Sequence, residues 1–114
     1  MVVQPSPHSM SVDEWRELEH SSNDIKHEYI DGYAYAMSGG SLAHSSIGIN
    51  AARAFQDALR AAGKQCYTYN SDVATRLSSR RYTYPDTSVT CDERDRPAPD
   101  KTEIQLLASL WKYC

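Results

Sequence analysis

The stretch Arg81–Cys91, RYTYPDTSVTC, decides how the second half of the chain folds. Its tyrosines, threonines and valine favour extended structure, and the sequence predicts a strand over Tyr82–Cys91. Pro85 and Asp86 interrupt this strand with a proline and a carboxylate. Proline removes a ladder hydrogen-bond donor and is normally confined to edges, strand starts and bulges. The pair therefore predicts a local irregularity that turns the Asp86 carboxylate outward at a strand edge.

The composition is that of an ordinary globular chain with one small domain: 114 residues, 40% hydrophobic and 24% charged. The formal net charge of −3 predicts no global positive field, which argues against a protein that coats DNA. It is compatible with a nuclease that has one local basic patch. Eight tyrosines against one phenylalanine indicate amphipathic strand faces, or a core whose polar tips need hydrogen-bond partners.

The hydrophobic pattern of the chain, its N-terminus and its cysteines together predict a cytoplasmic location. No apolar run approaches the length of a membrane span, and the N-terminus has no signal-peptide pattern. Cys66, Cys91 and Cys114 have no metal-ligand spacing. An odd number of cysteines without a signal peptide indicates reduced thiols in a cytoplasm.

The first half of the chain predicts a helix, a hairpin and a longer helix. Residues 1–10 are expected to be a flexible leader and residues 11–114 a single domain. A serine three residues before a glutamate forms a capping box that begins a short amphipathic helix over residues 11–20. Asp31-Gly32 before alternating tyrosine and alanine predicts a β-hairpin. An apolar stripe predicts a helix over residues 42–62 with one face in the core.

The second half predicts short strands at Gln65–Tyr69, Val73–Leu77 and Tyr82–Cys91. The charged, proline-rich stretch Asp92–Lys101 is expected to be a loop, and the tail 102–114 fits either a helix or a buried strand. The predicted fold class is α/β (or α+β). It has an N-terminal helix and a mixed, mostly antiparallel sheet with the long helix packed on one face.

Two carboxylates and a histidine are the candidate site residues. Asp86 could bind a hard divalent cation, or it could cap a turn. Strand alternation places Glu28 on the same face as Ile30, among core residues, which is costly unless the charge is paired or metal-bound. The alternative is an edge glutamate paired with Lys26 or an arginine. His44 opens the long helix, where it could face a phosphate or simply begin the helix without any chemistry.

Arg76, Arg80 and Arg81 form a basic cluster beside the Pro-Asp strand. Such a cluster could contact the phosphate backbone of a nucleic acid, most simply DNA. A solvated hairpin end has the same composition.

Five blocks carry a family resemblance, in the order SVDEWRELE, KHEYIDGYAYAMSGGSLAHSSIGIN, ARAFQDALR, YNSDVATRL and YTYPDTSVTCDERD. They resemble the Uma-two family of endonucleases, within the PD-(D/E)XK restriction-endonuclease-like superfamily, from about residue 10 to about residue 100. The resemblance implies that Asp86 and Glu28 are ligands of Mg²⁺ or Mn²⁺ and that His44 belongs to the catalytic site. The implied activity is metal-dependent hydrolysis of phosphodiester bonds.

The C-terminal end departs from the family pattern. Family members continue into a buried strand of the pattern Val-Glu-Val-Leu-Ser, whose glutamate is the second metal ligand, whereas this chain ends in Ser109–Cys114, SLWKYC. Deleting one G from AGC CTG GTG GAA GTA CTG T gives AGC CTG TGG AAG TAC TGT, which encodes those six residues. Our hypothesis is that a single-base deletion truncated the domain at its C-terminus.

The truncation implies weakened or absent nuclease activity. It also implies an open edge beside the strand that carries Asp86, and therefore a homo-oligomer. The apolar tail LLASLW would either patch that edge or drive dimerisation. Two other functions stay open: a non-catalytic module that binds nucleic acid or protein, and a remnant stabilised by self-association.

Overall fold

The computed structural model describes residues 5–105 and 109–111, which have an α+β fold, as the sequence predicts. They group into a first unit, Met1–Gly39 with Leu77–Thr83, and a second unit, Gly40–Arg76 with Tyr84–Cys114. The elements are, in chain order, α1 (Val12–Ser21), β1 (His27–Ile30), β2 (Tyr33–Ala36), α2 (Leu42–Ala61), β3 (Tyr67–Asn70), β4 (Ala74–Ser78), β5 (Arg81–Thr83), β6 (Thr87–Thr90), a 3₁₀ turn (Glu93–Asp95), β7 (Glu103–Ile104) and β8 (Ser109–Trp111).

Helix α1 begins at the predicted capping box. The Glu14 backbone N–H donates to Ser11 Oγ at 3.1 Å, and the Ser11 N–H donates to Glu14 Oε1 at 2.8 Å. These two bonds satisfy backbone donors that have no partner within the helix. The first-turn prediction is confirmed, and Trp15, 1% exposed, carries the buried face of the helix.

Strands β1 and β2 form the predicted antiparallel hairpin. Asp31 (φ 47°) and Gly32 (φ 95°) both have positive φ, as a type I′ two-residue hairpin turn requires. Glycine adopts this conformation at no steric cost, and aspartate tolerates it better than most residues. The Asp-Gly pair therefore sets the register in which Ile30 pairs with Tyr33.

The core of the first unit is aromatic with satisfied polar tips. Trp15, Tyr29 and Tyr82 are at most 3% exposed, and the Trp15 ring centroid lies 5.9 Å from Tyr29 and 4.9 Å from Tyr82. The Trp15 indole N–H donates to the His27 carbonyl at 2.9 Å, and the Tyr29 hydroxyl donates to the Met10 carbonyl at 2.8 Å. The prediction of a core whose tyrosine tips need partners is confirmed.

Residues 5–10, the described part of the expected leader, lie along β2. The Ser6 N–H donates to the Ala34 carbonyl at 2.8 Å, and the Met10 N–H donates to the Gly32 carbonyl at 2.7 Å. Pro5 forms an isolated antiparallel bridge with Tyr35. These bonds give the outer edge of β2 a backbone partner. Residues 1–4 of the expected leader lie outside the described residues.

The strand predicted over Tyr82–Cys91 is wrong in one respect, because the structure contains two strands. β5 pairs with β1 in the first unit, whereas β6 pairs with β3 and β8 in the second unit. Pro85, which is fully buried and has no N–H, lies between them. The proline thus ends one ladder and lets the chain enter another.

In the second unit β6 is the central strand of the antiparallel order β3-β6-β8. The expected open edge beside this strand is therefore wrong, and the alternative that the tail patches it is observed: Thr87 pairs with Trp111 and Val89 with Ser109. β4 adds a short parallel pairing with β7, in which Ala74 pairs with Glu103.

Helix α2 confirms the predicted long helix but not its core stripe. It contacts β3 and β6, yet none of its residues is buried, and Ile47 and Phe55 are 39% and 36% exposed. The half-buried positions of the helix include Ala51, Ala52 and Leu59. Neither α1 nor α2 has the length and apolar character needed to cross a lipid bilayer.

Cys66 and Cys91 form a disulfide, with Cα atoms 4.0 Å apart, so the expectation of reduced thiols is wrong for these two residues. The antiparallel pairing of Tyr67 with Thr90 places the two cysteines opposite each other at the next position of the β3–β6 ladder. Cysteine spacing gave no indication of this contact because it does not report which strands pair. Cys114 lies outside the described residues.

Candidate functional site

Two of the predicted site residues are in direct contact. His44 Nε2 lies 2.8 Å from Asp86 Oδ1, although the two residues are 42 positions apart in the sequence. Both side chains are largely covered, with 28% of His44 and 15% of Asp86 exposed. A carboxylate so poorly exposed needs hydrogen-bonding partners, because desolvation penalises its charged form.

The beginning of α2 positions His44. Ser41 is the N-cap, and its hydroxyl oxygen accepts from the His44 backbone N–H at 3.0 Å. A Cβ at Gly40 would lie 3.0 Å from His44 Cδ2 and 3.1 Å from Cγ, closer than ordinary contacts. The Gly-Gly-Ser sequence therefore leaves room for the imidazole and places the N-cap three residues before it. Ser41 is not among the predicted site residues, although a serine three residues before the histidine is an N-cap signal.

The approach to β6 positions Asp86. Tyr84 is 7% exposed and Pro85 is fully buried, so the segment before the carboxylate is packed. Asp86 itself lies in a bend just before β6 begins at Thr87. The irregularity predicted from the Pro-Asp pair is thus observed. The predicted outward orientation at a strand edge is wrong, because Asp86 precedes the central strand of its sheet and lies against the first turn of α2.

Glu28 belongs to the first unit, on β1, and its carboxylate accepts a hydrogen bond from the Thr83 hydroxyl. The expectation that Glu28 lies among core residues is wrong. Tyr29, 2% exposed, faces the core, whereas Glu28 and Ile30 share the other, half-buried face. The sequence did not reveal this contact with Thr83, because no local pattern links the end of β5 to β1.

The three predicted basic residues are exposed. Arg80 and Arg81 lie in the first unit, where Arg80 Nε is 3.4 Å from Asp31 Oδ1 at the hairpin turn. Arg76 lies in the part of β4 that belongs to the second unit. Both side chains of the Arg80–Asp31 pair are more than half exposed, so this ion pair contributes little stability.

The donor chemistry of Asp86 and Glu28 fits magnesium or manganese. Protein-bound magnesium typically has one or two carboxylate ligands and completes its shell with water and substrate phosphates. Within residues 5–105 and 109–111, no group of three His, Cys, Asp or Glu side chains is arranged to hold a metal ion.

A buried carboxylate organises the loop after β6. Asp95, 5% exposed, accepts from the Thr90 hydroxyl and from the Gln105 N–H, each at 2.9 Å. The Tyr69 hydroxyl donates to the Asp95 carbonyl, and burial together with the Asp95 charge raises the pKa of Tyr69 above its ordinary value. The sequence predicts only a loop for this segment.

The same loop borders a cavity of about 140 Å³. Its lining includes Tyr69, Asp95, Lys101 and Glu103, and it contains none of the predicted site residues. Nearby, hydrogen bonds from Arg94 hold the pKa of Asp92 below its ordinary value.

Comparisons with known proteins agree with the resemblance found in the sequence. The profile of the family described as "Uma2: Putative restriction endonuclease" matches residues 12–108. "Uncharacterized protein slr1290" from Synechocystis sp. (strain ATCC 27184 / PCC 6803 / Kazusa) is 42% identical over 88 residues, which are 76% of this chain and 45% of that protein. The chain therefore spans less than half the length of this relative. No solved structure gives a significant match.

Proposed function

Because the chain belongs to the Uma2 family, described as "Putative restriction endonuclease", we propose that it is a metal-dependent endonuclease that hydrolyses phosphodiester bonds. The observation that carries the proposal is the 2.8 Å contact between His44 and Asp86. The family resemblance marks both residues, and the fold brings them together from distant parts of the sequence. A largely covered carboxylate in contact with a histidine is typical of sites where charge or protons are handled.

In this proposal Asp86 and Glu28 are the ligands of Mg²⁺ or Mn²⁺. The bound ion would supply an activated water and stabilise negative charge on the phosphate. His44 orients the Asp86 carboxylate through its Nε2 contact. The first turn of α2, which carries His44, adds the positive end of a 20-residue helix dipole beside the same carboxylate.

DNA is the proposed substrate, and the exposed arginines Arg76, Arg80 and Arg81 would contact its phosphates. The net charge of −3 means that binding depends on such local contacts and on the metal ion. We expect turnover to be weak, since the described residues supply few donors for the metal. The small number of metal donors accounts for the expected weak turnover, and the reliance on arginine–phosphate contacts makes binding sensitive to salt.

The test is cleavage of supercoiled plasmid DNA with Mg²⁺ or Mn²⁺, by the wild-type chain and by Asp86→Asn. The substitution keeps the shape of the side chain but removes its charge, so we expect cleavage to fall by at least about 100-fold. Asp24→Asn makes the same chemical change at an exposed position of the first unit and should cleave like the wild type. Cleavage that persists in Asp86→Asn, or that survives a chelator, would contradict the proposal.

A gel-shift measurement with a fragment of that plasmid separates catalysis from binding. If the wild type shifts the DNA but does not cleave it with either Mg²⁺ or Mn²⁺, the result would favour the alternative of a binding module. Salt-dependent retention that is lost in Arg81→Ala would identify the basic surface as the contact.

A further inference from the structure

Glu28 and Thr83 form a cross-strand pair in the first unit. The antiparallel register pairs Tyr29 with Tyr82, so the residues on either side of them, Glu28 and Thr83, lie opposite each other. Directly opposed residues on one face of a sheet have neighbouring side chains. The Thr83 hydroxyl donates to Glu28 Oε2 in this position.

Thr83 is a buried donor with little rotational freedom. It is 6% exposed, and its β-branched side chain has a restricted χ1 angle. Glu28, by contrast, has a long side chain with several rotatable bonds, so it would lose conformational entropy on binding a ligand. A fixed donor on the neighbouring strand removes part of that freedom before the ligand arrives.

We propose that Thr83 is a positioning residue that holds the Glu28 carboxylate in one orientation for a divalent cation. This inference rests on the proposed function, in which Glu28 is a metal ligand. Thr83 acts through Glu28 and touches neither metal nor substrate. It also ends β5 three residues before Asp86, so the short segment that positions one proposed ligand leads directly to the other.

A Mn²⁺ titration, followed by the electron paramagnetic resonance signal of the unbound ion, compares the wild type, Thr83→Val and Thr83→Ser. Valine has the shape of threonine without the donor, so we expect about a 10-fold loss of Mn²⁺ affinity, as is typical when a hydrogen-bonding partner of a ligand is removed. Serine keeps the donor and should retain affinity close to that of the wild type. Wild-type affinity in Thr83→Val would overturn the proposal.

Two further variants distinguish positioning from a general packing effect. Thr68→Val makes the same change at a buried hydroxyl on β3 that has no hydrogen-bond partner among residues 5–105 and 109–111, so its affinity should be that of the wild type. In a Glu28→Gln background, Thr83→Val should cause no additional loss of affinity, because the carboxylate it positions is absent. An equal additional loss in that background would overturn the proposal.

The failure of the proposed function would give a different result. If the wild type bound no Mn²⁺, the endonuclease proposal would fail by itself, and a thermal-unfolding cycle would then test Thr83. If the double variant Thr83→Val/Glu28→Gln lowers Tm by less than the sum of the two single-variant shifts, the result supports positioning of Glu28 by Thr83. Additive shifts would overturn it.

Discussion

The His44 imidazole occupies the space that a side chain at position 40 would need. A Cβ there would meet three atoms of His44 at 3.0 to 3.3 Å, whereas a Cβ at Gly39 would have no neighbour within 4 Å. Since His44 is tied to Asp86, the ring cannot move away without lengthening that contact. Two adjacent glycines thus have different structural roles.

Replacing Gly40 with alanine should therefore weaken the proposed nuclease. We expect Gly40→Ala to reduce metal-dependent plasmid cleavage by about 10-fold or more, because misplacement on this scale disturbs catalytic geometry. Gly39→Ala is the matched control and should cleave at the wild-type rate. Equal rates for the two variants would show that the imidazole position does not matter for the reaction.

The type of a residue predicted its hydrogen-bonding needs better than it predicted whether the residue is buried. The tyrosine excess had two interpretations, amphipathic strand faces or a core with polar tips. The structure shows the second at Tyr29 and Tyr82, because a buried phenol needs a hydrogen-bond partner wherever it lies. Glu28 was assigned to the core face by strand alternation, but alternation does not say which face is buried. Tyr29 takes the core position instead.

At the level of elements, the short-range signals were reliable. The capping box, the Asp-Gly turn and the long apolar-rich segment each produced the predicted element, because each depends on contacts within a few residues. Pro85 was recognised as an interruption of a strand. That the two resulting strands pair in different units depends on β1 and β3, which lie far away in the sequence.

The disulfide at the end of the β3–β6 ladder should stabilise these elements. Cys66 and Cys91 are 25 residues apart. Closing a loop of this size lowers the entropy of the unfolded chain, which raises the free energy of unfolding by about 3 kcal/mol. We expect a dithiol reductant to lower the urea midpoint accordingly. A Cys66→Ala/Cys91→Ala double variant should start at the lower midpoint and not respond to the reductant. An unchanged wild-type midpoint would mean that the bond does not contribute in solution.

For the molecule as a whole, stability at alkaline pH should depend on Tyr69. Burial and the Asp95 charge raise the pKa of Tyr69 above 10.0, so the folded chain holds this proton more tightly than the unfolded chain. The resulting stability is fully present below the unfolded pKa and is lost as pH rises through the folded pKa.

Urea unfolding of the wild type and of Tyr69→Phe, from pH 7 to about pH 11, measures this effect. The variant lacks the hydroxyl that donates to the Asp95 carbonyl, so it should be less stable at pH 7 by about 1 kcal/mol. It should then lose less stability than the wild type at alkaline pH. Parallel stability curves for the two proteins would contradict this assignment.

The sequence by itself determined the class of fold, both helices, the hairpin, and the family whose pattern marks Glu28, His44 and Asp86. These follow from local periodicity, capping and turn chemistry, or from short blocks in a characteristic order. Only the tertiary structure decided which residues meet: His44 with Asp86, Glu28 with Thr83, and Cys66 with Cys91. Such contacts depend on which strands pair and in which register. Strand pairing joins segments far apart in the chain, and no pattern within a single segment encodes its partner.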